Sequence, residues 1–497
     1  MLELLEAYGF FGLQQGSAVL LGIVRAKVLA ALLGPYGVGV FSQANQFFSL
    51  LQSFFGLGLS GSLTKLISEY RSNEDFKRLN QTIVSVITLY GLLGIALILI
   101  FSLAAKPITQ FTFNDLRYKP YILIVSISAL AWVQSFAIIL IFRGLLHWRE
   151  SSFVAIAGNA TNIVIVAGCV LLWGITGAVI SLLLSQLINL IFGLYFLLKL
   201  IAPRHQIRFW KFAPSREILQ RLFHFAAPIM ILNIFSDLGF LFIRSRIVHL
   251  YGADTNGLYQ AIISVSSAYL GFLTTSVWSY GIPKISSLTQ NRAEAINIQN
   301  NGLRVSLLAL MPFSIALLAG REVWIPILYS NAFLSIAPLF IWQILGDIIL
   351  ITRQNILITL IPFEKIKNYF IEGILYWAGW TISAVVGLPK WGILSPLVTY
   401  FGINVIMLIG DIFYQSKASG FRLSIPNRTL ILKGIPLLIL GYLAAQFIPS
   451  ILLRIAVCSA VIVIMLLWIP SKSEIQKGLA YLSSLSTRLL IMIGKRL

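Results

Sequence analysis

Residues 14–41 read QQGSAVLLGIVRAKVLAALLGPYGVGVF, and residues 233–259 read NIFSDLGFLFIRSRIVHLYGADTNGLY. Each stretch is an apolar run long enough for a bilayer, which takes about 20 helical residues to cross, and each carries cations at membrane depth. At an offset of 219, Gln14 matches Asn233, Arg25 matches Arg244, and Lys27 matches Arg246. After a one-residue slip, Gly34-x4-Gly39-x-Phe41 matches Gly252-x4-Gly257-x-Tyr259; further on, Ser60 matches Ser279 and Lys65 matches Lys284. Shared charges inside apolar runs separate a duplication from the background likeness of hydrophobic helices.

Outward from this pair the whole chain reads as membrane. Of 497 residues, 58% are hydrophobic and 11% charged, with a mean hydropathy of +0.88; a soluble domain carries roughly 25% charged residues. Candidate spans fall near 10–34, 40–66, 80–104, 120–142, 152–173, 175–198, 223–250, 257–283, 303–320, 334–361, 369–388, 391–414, 430–448 and 451–470. The expected fold is an all-α integral membrane protein of about 14 transmembrane helices. Six spans separate each residue from its repeat partner, so both copies enter the membrane in the same direction, a parallel repeat about an axis along the membrane normal. The expected organisation is a six-helix bundle at 1–200, a basic cytoplasmic linker at 201–221, and a second six-helix bundle at 222–415. Two additional helices follow at 430–470 and a tail at 471–497, with a central cleft between the bundles.

The net charge of +20 comes from 37 Lys and Arg against 17 Asp and Glu. In a soluble chain that excess points to nucleic acid; here the cations flank apolar runs and read as topology signals. With the N-terminus inside, 27 fall on the cytoplasmic side. Six lie opposite (Lys106, Arg117, Lys119, Arg321, Lys390, Arg454) and four within spans (Arg25, Lys27, Arg244, Arg246). That alternation sets both termini in the cytoplasm. No cleavable leader is read, since the first apolar run follows Glu3 and Glu6 rather than a basic segment.

Ionisable groups at membrane depth are costly unless they face a partner or a watery path. At about 100° per residue, Arg25 falls on the face of Gln14 and Ser17, while Asn233, Asp237 and Arg244 form one stripe on the seventh span. These faces read as a cationic cleft for an anion, because guanidinium forks fit phosphate oxygens. Snorkelling, or pairing of Arg244 with Asp237, is the structural alternative. Lys27 and Arg246 are further cleft-lining candidates; Asp237 is an ion-coupling candidate or the counter-ion of Arg244. Asp347 and Glu372 are other intramembrane acids, and Asp347 with Arg353 makes an off-face pair.

Catalytic constellations are not apparent. His147, His205, His224 and His249 lack metal-ligand spacing, and no glycine-rich phosphate loop occurs. Cys169 and Cys458 read as buried thiols far apart in sequence. No cofactor or metal is implied. Apolar positions at Ile475, Leu479, Leu482, Leu485, Leu489 and Met492 predict an amphipathic tail helix on the anionic cytoplasmic leaflet.

The run Leu32-Leu33-Gly34-Pro35-Tyr36-Gly37-Val38-Gly39-Val40-Phe41-Ser42, then Gly58-Leu59-Ser60 and Lys65-x3-Glu69-Tyr70, resembles the Wzx-type polysaccharide and O-antigen flippases. These form part of the multidrug/oligosaccharidyl-lipid/polysaccharide exporter superfamily. The resemblance runs from the first span to about the twelfth. It implies a flippase that moves an undecaprenyl-diphosphate-linked oligosaccharide to the outer leaflet of the cell membrane by alternating access. Arg25 and Arg244 would then meet the diphosphate, with Gln14, Ser17 and Asn233 hydrogen-bonding sugar or phosphate. The implied partners are the polyprenyl-diphosphate-linked glycan, membrane lipids and a polysaccharide polymerase complex, with no nucleic acid. Fourteen spans depart from the shorter O-antigen flippases and resemble the lipid II flippases. A multidrug exporter of the superfamily would place acids in its cleft, and a glycosyltransferase would need an external catalytic loop.

Overall fold

The computed structural model describes residues 2–56, 60–205, 207, 211–288, 291–470 and 476. Among the described residues there is no strand, only helices and the turns joining them. Among the described residues eleven helices are long and apolar enough to cross a membrane. Three of the eleven are two helices joined at a glycine: Leu2–Gly56 breaks at Gly34, Trp148–Phe196 at Gly174, and Arg216–Ser286 at Gly252. Taking each side of a break separately gives fourteen spans among the described residues, as the hydropathy reading expects. The chain is a multi-pass membrane protein. The last pair are full helices, Ile425–Phe447 and Ile451–Trp468, of 23 and 18 residues; at about 1.5 Å per residue each is a span rather than a half-buried loop. The amphipathic tail expected at 471–497 lies outside the described residues but for position 476.

The duplication is written into the backbone at an offset of 218. Gly34 and Gly252 have positive φ (62° and 82°), as do Leu146 and Glu364 (61° and 57°) and Gly174 and Gly392 (57° and 55°). Gly34 (ψ −171°) and Gly252 (ψ 172°) occupy a region of backbone space open in practice only to glycine. Pro35 opens the helix after the first break, where its missing N–H costs nothing. Helix starts repeat as well: the Asp75 side chain accepts from the Arg78 amide, and the Asn291 side chain from the Glu294 amide. Each third helix of a repeat leads into a short one, Ala105–Phe113 in the first copy and Arg321–Leu328 in the second.

Contacts divide the chain into two compact units. The first comprises Met1–Ala268, Trp324–Ile336 and Lys367–Ile403. Its heart is the helix Lys119–Gly144, whose Val125, Ala129, Val133, Ala137 and Ile141 recur every fourth residue and are fully buried. Small residues let neighbouring backbones close in: Gly144 packs on Ile67, Gly94 on Leu130 and Gly193 on Ile138. The outer stripe of Phe76–Leu103 is the reverse of a soluble helix, with Leu92, Ile95, Leu99 and Leu103 all exposed, as lipid contact requires.

The second unit comprises Tyr269–Val323, Ala337–Ile366 and Asn404–Leu497. Ile285, Ala295 and Ile358 form a small core there with Ile282, Ile298 and Phe363. The terminal pair packs on Arg292–Ala319: Gly434 meets Met311 and Gly441 meets Ile315. Arg454 anchors the last span, its Nε donating to Ala319 O at 3.0 Å and its Nη1 to Glu322 Oε1 at 3.0 Å.

Substituting Gly34→Ala or Gly252→Ala is expected to cost about 1–3 kcal/mol, read as a lower melting temperature in detergent. An added Cβ meets nothing within 4 Å at either position, so the cost is conformational alone. Gly22→Ala, within a helix and equally uncrowded, should melt no lower than the parent. Equal melting of all three variants contradicts the assignment.

Candidate functional site

In the first unit, a stripe of small and polar residues runs down the helix after Gly34. Gly39, Ser42, Gln46 and Ser53 lie at intervals of three, four and seven, hence on one face. The residues facing it are Asp237 and Arg244, seven apart on the seventh span, and Asn256 and Gln260, four apart on the eighth, with Ser264 four further on accepting from Gln260 Nε2. Two hydrogen-bonded clusters result.

The first surrounds Arg244, which is 2% exposed. Its Nη1 donates to Ser42 Oγ and to Asn256 Oδ1, both at 3.3 Å, and its Nη2 to Gln260 Oε1 at 2.5 Å. Asn256 Nδ2 donates to Gly39 O at 2.8 Å and to Ser42 Oγ at 3.1 Å. The guanidinium carbon stands 5.4 Å from the centre of the Tyr259 ring. Beside this cluster, Gln43 Nε2 donates to Ser245 Oγ and to Thr112 O, both at 2.9 Å. The second cluster holds Asp237, which accepts from Gln46 Nε2 at 3.1 Å and from Ser53 Oγ at 2.5 Å.

These contacts decide between readings left open above. Asp237 and Arg244 share a stripe but are not partners: the carboxylate meets neutral donors and the guanidinium neutral acceptors. Among the described residues Arg244 has no acid beside it. Arg25, its repeat mate, is half-buried and forms no hydrogen bond or ion pair with a described residue. One duplicated arginine is enclosed by protein, and the fork of the other is engaged by none of the described residues.

Lys27 has a structural occupation: its Nζ donates to Pro326 O at 2.9 Å and Tyr329 O at 2.7 Å. These carbonyls end the short helix Arg321–Leu328, where a cation complements the helix dipole. Arg246 and Asn233 are exposed and Ser17 is half-buried; the Gln14 side chain lies outside those described. Gln46, Ser53, Asn256 and Gln260 were not picked out from the sequence, and Ser42 entered only as the last residue of the run that carries the family resemblance. The four-residue spacing of Asn256, Gln260 and Ser264 inside an apolar run was the available signal.

In the second unit, Asp347 and Arg353 each reach a partner on another helix. Asp347 accepts from Tyr269 Oη and, at 3.0 Å, from Gln343 Nε2. Arg353 Nε donates to Asp411 Oδ2 at 2.8 Å and its Nη1 to Asn404 Oδ1 at 2.8 Å, with both charged side chains buried. Asp411 is an intramembrane acid the hydropathy reading passed over. No group of three potential metal ligands occurs among the described residues. Two histidines distant in sequence do meet, His147 Nε2 lying 3.0 Å from His205 Nε2, with Glu150 Oε1 3.3 Å from His147 Nδ1. Cys169 and Cys458 are free and buried.

Comparison with known proteins adds findings of three kinds: a family, relatives and solved structures. A family model described as polysaccharide biosynthesis protein matches residues 4–289. The lipid III flippase of Escherichia coli (strain K12) is 24% identical over 390 residues, covering 78% of this chain and 91% of that one. An uncharacterized membrane protein of Methanocaldococcus jannaschii is 24% identical over 446 residues, covering 85% and 86%. Among solved structures, the lipid II flippase MurJ in an inward closed conformation superposes with a TM-score of 0.71 at 16% identity, over 93% of this chain and 98% of that one. An inward-facing multidrug resistance MATE transporter of the MOP superfamily gives 0.64 at 15% identity, over 82% and 94%. At these identities the structural likenesses establish the fold.

Two outcomes follow from the buried charges. Asp411→Asn or Arg353→Met alone should each destabilise by about 3–5 kcal/mol, whereas the double variant Arg353→Met/Asp411→Leu should recover most of that in melting temperature. A double variant as unstable as the sum of the singles contradicts the pairing. Burial first, then His147, Arg71 and Arg204, hold the His205 imidazole below the ordinary histidine range. A base whose pKa falls on folding favours the folded state while neutral, so stability should be full above about pH 6.5 and decline on acidification. His205→Asn should flatten that decline; an unchanged profile speaks against it.

Proposed function

The chain belongs to the polysaccharide biosynthesis protein family, and from that membership we propose that it is a flippase for a lipid-linked glycan. It moves an undecaprenyl-diphosphate-linked oligosaccharide from the cytoplasmic to the outer leaflet of the cell membrane by alternating access. The observation that carries this reading is Arg25, a cation at membrane depth with no described protein partner. A guanidinium so placed favours a ligand that brings negative charge, and a diphosphate matches its fork. The sugar crosses along a polar path while the prenyl chain stays in lipid, and no bond is broken: the chain is a transporter rather than an enzyme. The names of the E. coli lipid III flippase and of MurJ support a lipid-linked cargo.

In this reading both termini are cytoplasmic, supported by the distribution of basic residues. The two repeats, 1–200 and 222–415, act as the moving bundles joined by the basic linker 201–221, supported by the matched positive-φ residues at an offset of 218. Ser17 and Asn233 line the path near Arg25, and Arg244 and Arg246 offer further cations. Asp237 is the ion-coupling group, supported by partners that are neutral. A polysaccharide polymerase receives the product. A second reading, a lipid II flippase, is favoured by the terminal pair of spans; the diphosphate chemistry is the same and the sugar differs.

Arg25→Ala should lower transport of a fluorescent undecaprenyl-diphosphate glycan in proteoliposomes by about tenfold to a hundredfold, the worth of one or two charge-assisted hydrogen bonds. Arg25→Lys should retain a part. Parental flux in the Ala variant, at equal reconstitution, contradicts the assignment; uptake of cationic drugs in place of glycan lipid points to a multidrug exporter.

A further inference from the structure

The second and eighth spans touch at a contact that obeys the repeat. A Cβ on Gly39 would lie 1.8 Å from Ala253 O, and one on Gly257 would lie 1.9 Å from Pro35 O. Pro35 and Ala253 each follow a left-handed break, and each glycine lies four residues further on. The two backbones therefore meet about one helical turn inside the ends of their spans. With the N-terminus in the cytoplasm, those ends are at the outer face.

Arg244 lies directly beneath this crossing. From the seventh span it donates to Ser42 on the second and to Asn256 and Gln260 on the eighth, and Asn256 in turn donates to Gly39 O. One guanidinium thus spans the joint. Its fit is incomplete, however. Arg244 Nε and the Tyr259 hydroxyl are both buried without a hydrogen-bond partner, and the positive charge meets only neutral oxygens. An acid here would add the attraction of a full opposite charge in a low-dielectric site and make a permanent clamp. Held by hydroxyl and amide oxygens alone, the guanidinium can be taken by an anion.

We propose that Arg244 is a releasable latch on the outer gate: it holds the second and eighth spans together at Gly39 and Gly257, and the phosphate oxygens of the lipid-linked headgroup open the gate by replacing Ser42, Asn256 and Gln260 as its acceptors. The trigger rests on the diphosphate reading above, while the latch rests on geometry alone. Arg25 then serves as the first contact for the headgroup and Arg244 as the contact that converts binding into opening. The duplicated arginines divide the work.

Outer-side accessibility tests the proposal. Val40 is 2% exposed, beside Gly39 and outside the hydrogen-bonded cluster; Val40→Cys is placed in a Cys169→Ala/Cys458→Ala background and reconstituted. A membrane-impermeant maleimide added outside should label it slowly. Arg244→Gln should speed labelling by about tenfold or more, the worth of one charge-assisted hydrogen bond, and Gly39→Ala should do the same by forcing the backbones apart. Ser42→Ala, which keeps the charge, should give a smaller rise and guards against a folding defect in the arginine variant. Undecaprenyl diphosphate should raise labelling when Arg244 is present and leave Arg244→Gln unchanged, with undecaprenyl monophosphate weaker. Slow labelling in both Arg244→Gln and Ser42→Ala overturns the latch. Fast labelling in those variants with no response to the diphosphate overturns the trigger, and with it the substrate reading.

Discussion

Between Gly39 and Gly257 the backbones of two helices touch, and they can do so because neither residue carries a Cβ. In a bilayer there is no hydrophobic force between helices, so close approach and satisfied polar groups decide which pairs hold. The crossing brings Ser42 within reach of Asn256 and of Arg244. It also fixes the two glycine breaks, since each crossing residue packs on the first residue after the opposite break. Much of the first unit's polar organisation follows from this one approach.

The repeat keeps its backbone while its side chains diverge. Its turns remain equivalent, with positive φ preserved at three pairs of positions. Its charges do not. Arg25 and Arg244 occupy equivalent places in sequence, yet one is half-buried and engaged by none of the described residues while the other is enclosed by Ser42, Asn256 and Gln260. Lys27 has been recruited to end a short helix through the carbonyls of Pro326 and Tyr329, whereas its mate Arg246 is exposed. A duplicated scaffold supplies matched elements, and individual side chains then take different tasks.

The fourteen spans were legible because hydropathy is a local property, and Gly34, Gly174 and Gly252 mark their junctions by a conformation that glycine alone adopts readily. The depth of Arg25 and Arg244 was legible for the same reason. What surrounds them was not. Arg244 finds Ser42 across 202 residues and Arg353 finds Asp411 across 58; no periodicity along one helix encodes such partners. The pairings weighed along one helix, Asp237 with Arg244 as an alternative and the off-face Asp347 with Arg353, could not reveal partners on other helices. Small polar residues such as Ser42 and Ser53 carry little weight in an apolar run, although packing turns them into the partners that matter.

A path for a glycan diphosphate through a bilayer needs cations that the protein itself leaves incompletely satisfied, and the account stands on that point. The most direct measurement is equilibrium binding to purified protein in detergent. Undecaprenyl diphosphate carrying a short glycan is compared with the same lipid bearing one phosphate and with an organic cation. The account predicts that the diphosphate binds at least about tenfold tighter than the monophosphate, as one further charge-assisted contact requires, and that added salt weakens it. Equal binding of the two phosphates, or preference for the cation, would contradict it.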